Sequence, residues 1–183
     1  MHINTWMIAL LAFLSPLVVM AADGVVSVDG LVINESCSIN GQAANGANDL
    51  LVRLPVVTSR ALRSAGAKAG MTPFKVVLGG DSEAGCPNGR VANLHFEPGP
   101  TVTKDGFLVN EAAEFSGAQN VVVALFNKDG SDLNVLDLNS QRKTQAVITN
   151  NVAVLDYFAA YRATAVVCPG LVKSSVQYTV EYN

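Results

Sequence analysis

Residues able to do chemistry are few in this chain, and they stand apart from one another. Of the two histidines, His2 falls in an N-terminal apolar stretch and His95 in Val91-Ala92-Asn93-Leu94-His95-Phe96. Alternation there sets His95 with Val91 and Asn93, opposite Leu94 and Phe96, on the solvent side of a strand. A general base also needs a nucleophile or partner within hydrogen-bond reach, and the sequence offers none. Cys37, Cys86 and Cys168 make no C-x-x-C pair, and the histidines no H-x-x-x-H pair, so metal-ligand spacing is missing. The glycines are scattered through turns and form no phosphate loop. Glu111 and Glu114 lie in loop-like sequence, where solvation is the default role. Asn34-Glu35-Ser36 fits the N-glycosylation pattern, but such short matches are common by chance. No enzymatic activity, cofactor or metal is expected.

The elements that would hold these residues are strands. The chain has 183 residues, enough for one domain; half of them are hydrophobic, 15% are charged, and the formal net charge is -3. A core of useful size needs no metal or dense disulfides, and without a run of Lys or Arg a nucleic-acid partner is not expected. Aromatics are only 7%, while Val, Ala, Gly and Asn are plentiful, which suits short strands and tight turns.

Residues 6–20 form an apolar run broken only by Ser15 and Pro16, too short for a comfortable membrane span. With Val19 and Ala21 as the small residues, the pattern predicts a signal peptide over residues 1–21, cleaved after Ala21, with Ala22 as the neighbouring choice. The segment ahead of the run has His2 but no Lys or Arg, a departure from the usual signal. Export permits disulfides, yet three cysteines allow one internal pair and leave one thiol over.

After residue 22 the pattern changes every eight to twelve residues, as an all-β sandwich requires. Val26, Val28 and Val32 share an alternating face with Gly30 between them. Residues 50–56 read as a strand interrupted by Pro55, and residues 58–65 as a short helix capped by Thr58 or Ser59 and ended by Gly66. Further strands are expected over 74–78, 91–96, 120–126, 152–163 and 171–182. Asn127-Lys128-Asp129-Gly130 supplies a hairpin turn, and the nearly continuous apolar run at 120–126 predicts a strand buried on both faces or central in its sheet.

Three parts of the chain carry a family likeness. Residues 22–39 give an alternating extension containing a Gly, followed by Cys37. Leu54-Pro55, Thr72-Pro73-Phe74 and Cys86 come next in order. The last two strands, residues 157–164 and 176–183, include the penultimate Tyr182. Together they resemble the subunits of chaperone–usher fimbriae, the type 1 pilus family.

The resemblance implies an incomplete immunoglobulin-like β-sandwich that lacks its last strand and is completed by a donor strand from a neighbouring subunit. It divides the chain into a signal peptide (1–21), a donor-strand extension (22–35) and a pilin domain (36–183). Val26, Val28 and Val32 would fill a neighbour's groove and Gly30 its tightest pocket, with Gly24 on the same face leaving the register open. Pattern alone fits an ordinary first strand equally well. Val176, Tyr178, Val180 and Tyr182 would border the groove and meet the chaperone. Cys37 and Cys86 match the family's disulfide; closing a loop of about fifty residues would contribute about 4 kcal/mol. Cys168 departs from the two-cysteine pattern; its turn position fits an unpaired thiol, the favoured reading, an intersubunit bridge or a rival partner for Cys86.

The implied partners are identical or related pilin subunits, a periplasmic chaperone and an outer-membrane usher. The implied location is an extracellular fimbria that supports adhesion, reached through the periplasm. A minor adaptor or terminator subunit, or a secreted carbohydrate-binding sandwich, are the competing expectations.

Overall fold

In the computed structural model, residues 37–44, 48–114 and 116–183 are described, all within one compact unit spanning Asn34–Asn183. A 3-10 turn at Ser59–Leu62 precedes β1 (Lys68–Gly79), β2 (Val91–Phe96), β3 (Leu108–Val109), β4 (Gln119–Phe126) and β5 (Asp132–Leu133). The single-turn α1 (Leu138–Gln141) follows, then β6 (Gln145–Val147), β7 (Val152–Cys168) and β8 (Tyr178–Tyr182). One sheet runs β1-β7-β4-β3, with β5 paired to β4; the other runs β6-β2-β8. Every pairing among these strands is antiparallel.

The expected central strand is β4, flanked by β7 and β3, with Val121 to Phe126 buried throughout. Pro73 fits within β1 because that strand is a sheet edge, where a missing N–H breaks no ladder. The turn after β4 closes as Gly130 N donates to Asn127 O, with Asn127 N bonded to Ser131 O. A second tight turn, at Asn150-Asn151, has φ of 53° and 61° and joins Thr149 to Val152. Asparagine tolerates this left-handed pair better than other side-chain-bearing residues.

The core lies between the sheets. Leu78, Leu94, Leu133 and Leu155 are fully buried, as is Tyr157. The Tyr157 ring stacks on Phe74 at 5.6 Å and meets Phe96 edge-on at 5.4 Å. Burial raises the Tyr157 hydroxyl's pKa well above its ordinary value of 10.0.

Several sequence expectations change. Residues 50–56 form no strand: Leu51 and Val56 are 73% and 101% exposed, Pro55 lacks a donor, and the segment has no backbone hydrogen bond among the described residues. The helix expected over 58–65 shrinks to the 3-10 turn, whose Thr58 side chain makes no capping bond. The last strand pairs as a ladder only from Tyr178, because its partner β2 ends at Phe96. Asn93 is not on a solvent face. Flanked by β6 and β8, it is 1% exposed, donates to Glu181 at 2.9 Å and accepts from Asn183 at 3.2 Å. His95 is half-buried beside Glu97, with Nε2 3.4 Å from Oε2.

Candidate assembly groove

The unpaired segment and the C-terminal strand are the two walls of one long groove of about 1580 Å³. Residues 48–54 form the first wall, with Val52 and Leu54 turned inward. Residues 172–182 form the second, where Val172, Val176, Tyr178, Val180 and Tyr182 alternate with more exposed neighbours. The floor is the core itself: Val76, Phe96, Leu108, Val123 and Leu125 reach it from both sheets.

The register of β8 explains why this wall is unfinished. Glu97 N donates to Gln177 O, and Val91 and Asn183 exchange both backbone bonds. In an antiparallel ladder the hydrogen-bonded pairs alternate with non-bonded ones. Thr179 and Glu181 therefore spend their backbone groups on β2. Tyr178, Val180 and Tyr182, opposite Phe96, Leu94 and Ala92, turn theirs away from β2, along an edge with which no other described strand pairs. The side chains and the backbone of the same three residues thus both serve the groove. An exposed strand edge beside apolar surface is a template for an added strand.

Before Tyr178, the second wall is held from behind. Glu111 N donates to Lys173 O, Lys173 N to Asn110 Oδ1, and Ser174 Oγ to Val109 O. The buried Asn110 also donates to Ala118 O and Leu171 O, at 2.9 and 3.1 Å. Among the described residues a bond joins the two walls: the Tyr178 hydroxyl donates to Asn48 O at 2.7 Å. Burial, then the nearby Asp49 charge, raises the Tyr178 pKa; burial also raises that of Tyr182, with Glu83 adding to it.

Val176, Tyr178, Val180 and Tyr182 thus come together on one wall. Cys37 and Cys86 are disulfide-bonded and fully buried, while Cys168 is a free, exposed thiol. Val26, Val28, Gly30 and Val32, with the signal peptide and the donor extension, lie outside the described residues. Sequence reasoning missed the first wall as a wall; the alternation of Val52 and Leu54 is the signal that marked it. Among the described residues no group of three or more His, Cys, Asp or Glu side chains could hold a metal ion.

The family model described as "Type-1 fimbrial protein, A" matches residues 54–183. The chain belongs to the type-1 fimbrial protein family. It is 39% identical over 177 residues to the major fimbrial subunit SMF-1 of Stenotrophomonas maltophilia, covering 92% of this chain and 98% of that protein. It is 35% identical over 183 residues to the F17 fimbrial protein of Escherichia coli, covering 97% of each. The fold is similar to a type I fimbria protein of Burkholderia pseudomallei, at TM-score 0.51 and 19% identity, over 80% of this chain and 89% of that one. It is also similar to a subunit of a chaperone–usher pilus, at TM-score 0.51 and 15% identity, over 92% of this chain and 100% of that one. The architecture is the incomplete immunoglobulin-like sandwich of these pilins, and the chain is a structural subunit of an extracellular surface fimbria, associating there with other subunits.

Proposed function

We propose that this subunit polymerises by donor-strand exchange, each groove receiving residues 22–35 of the next copy. The observation that carries the reading is the open edge of β8, where backbone groups and apolar side chains of Tyr178, Val180 and Tyr182 face one groove. Strand addition of this kind is known for pilins. From Gly24 to Val32 an extended chain covers about 26 Å at 3.3 Å per residue, and the wall from Val172 to Tyr182 offers about 33 Å on the same measure. Val26, Val28 and Val32 would enter apolar pockets, each contributing about 1.5–3 kcal/mol gross on full burial, with Gly30 where backbone approaches closest.

A groove left open favours aggregation, so a periplasmic chaperone fills it first and an outer-membrane usher presents the subunit for exchange. In this reading residues 1–21 direct export and are removed, and residues 36–183 form the pilin domain. Likeness to a major fimbrial subunit supports a place in the fibre shaft; deleting the chain should then remove whole shafts in electron micrographs.

The direct test is Val28→Asp. A carboxylate cannot enter an apolar pocket without a large desolvation cost, so fibres should vanish while the variant's own groove still accepts a wild-type donor peptide. Normal fibres from Val28→Asp would overturn the donor assignment.

A further inference from the structure

The two poles of the sandwich differ in character. The 17 residues of β7 separate them by about 50 Å at 3.3 Å per residue. At one pole Gly79 N donates to Ser38 O, and Asn151 donates to both Asn88 Oδ1 and Cys86 O, around the Cys37–Cys86 disulfide. This disulfide pole is where the chain enters the domain. At the other pole Leu62, Ala118, Val121, Ala163 and Val167 form a small core of their own, with Val57 and Val172 against it. Around that core Val56, Val166 and Leu171 stand 101%, 66% and 66% exposed. Hydrogen bonds from Asn120 Nδ2 to Val166 O and from Ala118 N to Leu171 O fix two of them there. The free, exposed thiol of Cys168 falls between Val166 and Leu171 in the chain.

The groove connects the poles, its second wall running from Val172 beside the apolar pole to Tyr182 beside the disulfide pole. A donor lying parallel to β8 would leave at the disulfide pole, where the acceptor's own extension departs, and both would share one exit. A donor lying antiparallel leaves at the apolar pole, so addition can repeat head to tail without closing. Val32 and Cys37 are five residues apart, at most about 18 Å of extended chain. So short a link brings the donor's disulfide pole onto the acceptor's apolar pole.

We infer that the apolar pole, carrying Val56, Val166 and Leu171, is a second subunit contact, seated on the disulfide pole of the copy that donates its strand. The inference rests on the donor-strand reading above. It assigns exposed aliphatic side chains, which water solvates poorly, to a partner of stated identity: another copy of this chain.

Cys168 provides a native reporter. In assembled fibres of Asp81→Cys, which places a thiol in the exposed loop at the disulfide pole, a short bismaleimide should join neighbouring subunits into a ladder on denaturing gels. The poles of one subunit are too far apart for an internal link, and Cys168→Ser should erase the ladder. Ala84→Cys, in the same loop, gives a second site should Asp81→Cys fail to fold. A further measurement uses Val166→Asp/Leu171→Asp, whose fibres should dissociate about tenfold faster in denaturant. Fibres that form and depend on Val28, yet give no ladder from either loop thiol or dissociate at the wild-type rate, overturn the pole contact and leave donor exchange standing. Fibres indifferent to Val28→Asp overturn donor exchange itself.

Discussion

β7 and the two groove walls are built from similar residues and end in opposite states. β7 runs between β1 and β4 and is laddered on both sides, and Leu155 and Tyr157 on its inner face are fully buried. The wall at 172–182 has the same period-2 alternation of apolar residues, but among the described residues a partner strand on one side only, and its inward side chains stay half-exposed. The wall at 48–54 has no ladder among the described residues. Alternation therefore encodes which face turns inward and leaves open whether a neighbour is present to complete it. The closed flank gives the subunit its stability; the open flank gives it a reason to associate.

The comparison is broken most forcefully at Leu155. Leu155→Ala leaves a cavity in a region that is complete before any partner arrives, and should cost about 2–5 kcal/mol. Denaturant midpoints should fall by the same amount in the isolated subunit and in one filled by a donor peptide of residues 22–35. A loss confined to the filled subunit would mean that the closed flank is also finished by the partner.

Val180 makes the complementary case. Its side chain is half-exposed in the groove, so Val180→Ala should change the isolated subunit by only a few tenths of a kcal/mol. Once a donor covers it, the missing methyl groups amount to about 1.6 kcal/mol at 0.8 per methylene. Donor-peptide dissociation should then be about tenfold faster, since 1.4 kcal/mol is a factor of ten. Equal destabilisation with and without the peptide would show that Val180 belongs to the subunit's own core.

The same contrast explains what the residues alone could reveal. The closed flank was legible because its pattern and its environment agree: the apolar run at 120–126 became the central strand β4, and residues 91–96 became β2. The second wall was legible as alternation at 171–182, but not its late pairing, because that depends on where β2 ends. Residues 50–56 misled for the opposite reason. Val52 and Leu54 alternate like a strand, yet no described strand pairs with them. Asn93 misled because its cover comes from Glu181 and Asn183, far along the chain. The Asn150-Asn151 turn passed unnoticed because it lacks the glycine that usually marks such a hairpin.

The smallest effect lies on the outer surface of the closed flank, where Asp132 meets Lys68 and accepts from Arg162 Nη1 at 3.0 Å. The two cations also cover rings, Lys68 over Phe126 at 4.7 Å and Arg162 over Phe107 at 4.5 Å. Partial burial alone pushes the Asp132 pKa up, but hydrogen bonding and charge from Lys68, then from Arg162, outweigh it and hold the carboxyl below its ordinary 3.8. A carboxylate whose folded-state pKa is depressed contributes stability above its unfolded value and loses it as pH falls through the folded value. With the Asp132 side chain 43% exposed, solvent screening limits the contribution to about 0.5 kcal/mol. The stability gap between wild type and Asp132→Asn should therefore be constant from neutral pH down to about pH 5, shrink below 3.8, and shrink also at neutral pH in molar salt. Because this network touches neither wall, the rate of donor-peptide dissociation should not follow it. A dissociation rate that tracked Asp132 protonation would show that the closed flank transmits strain to the groove, and that the two regions are not independent.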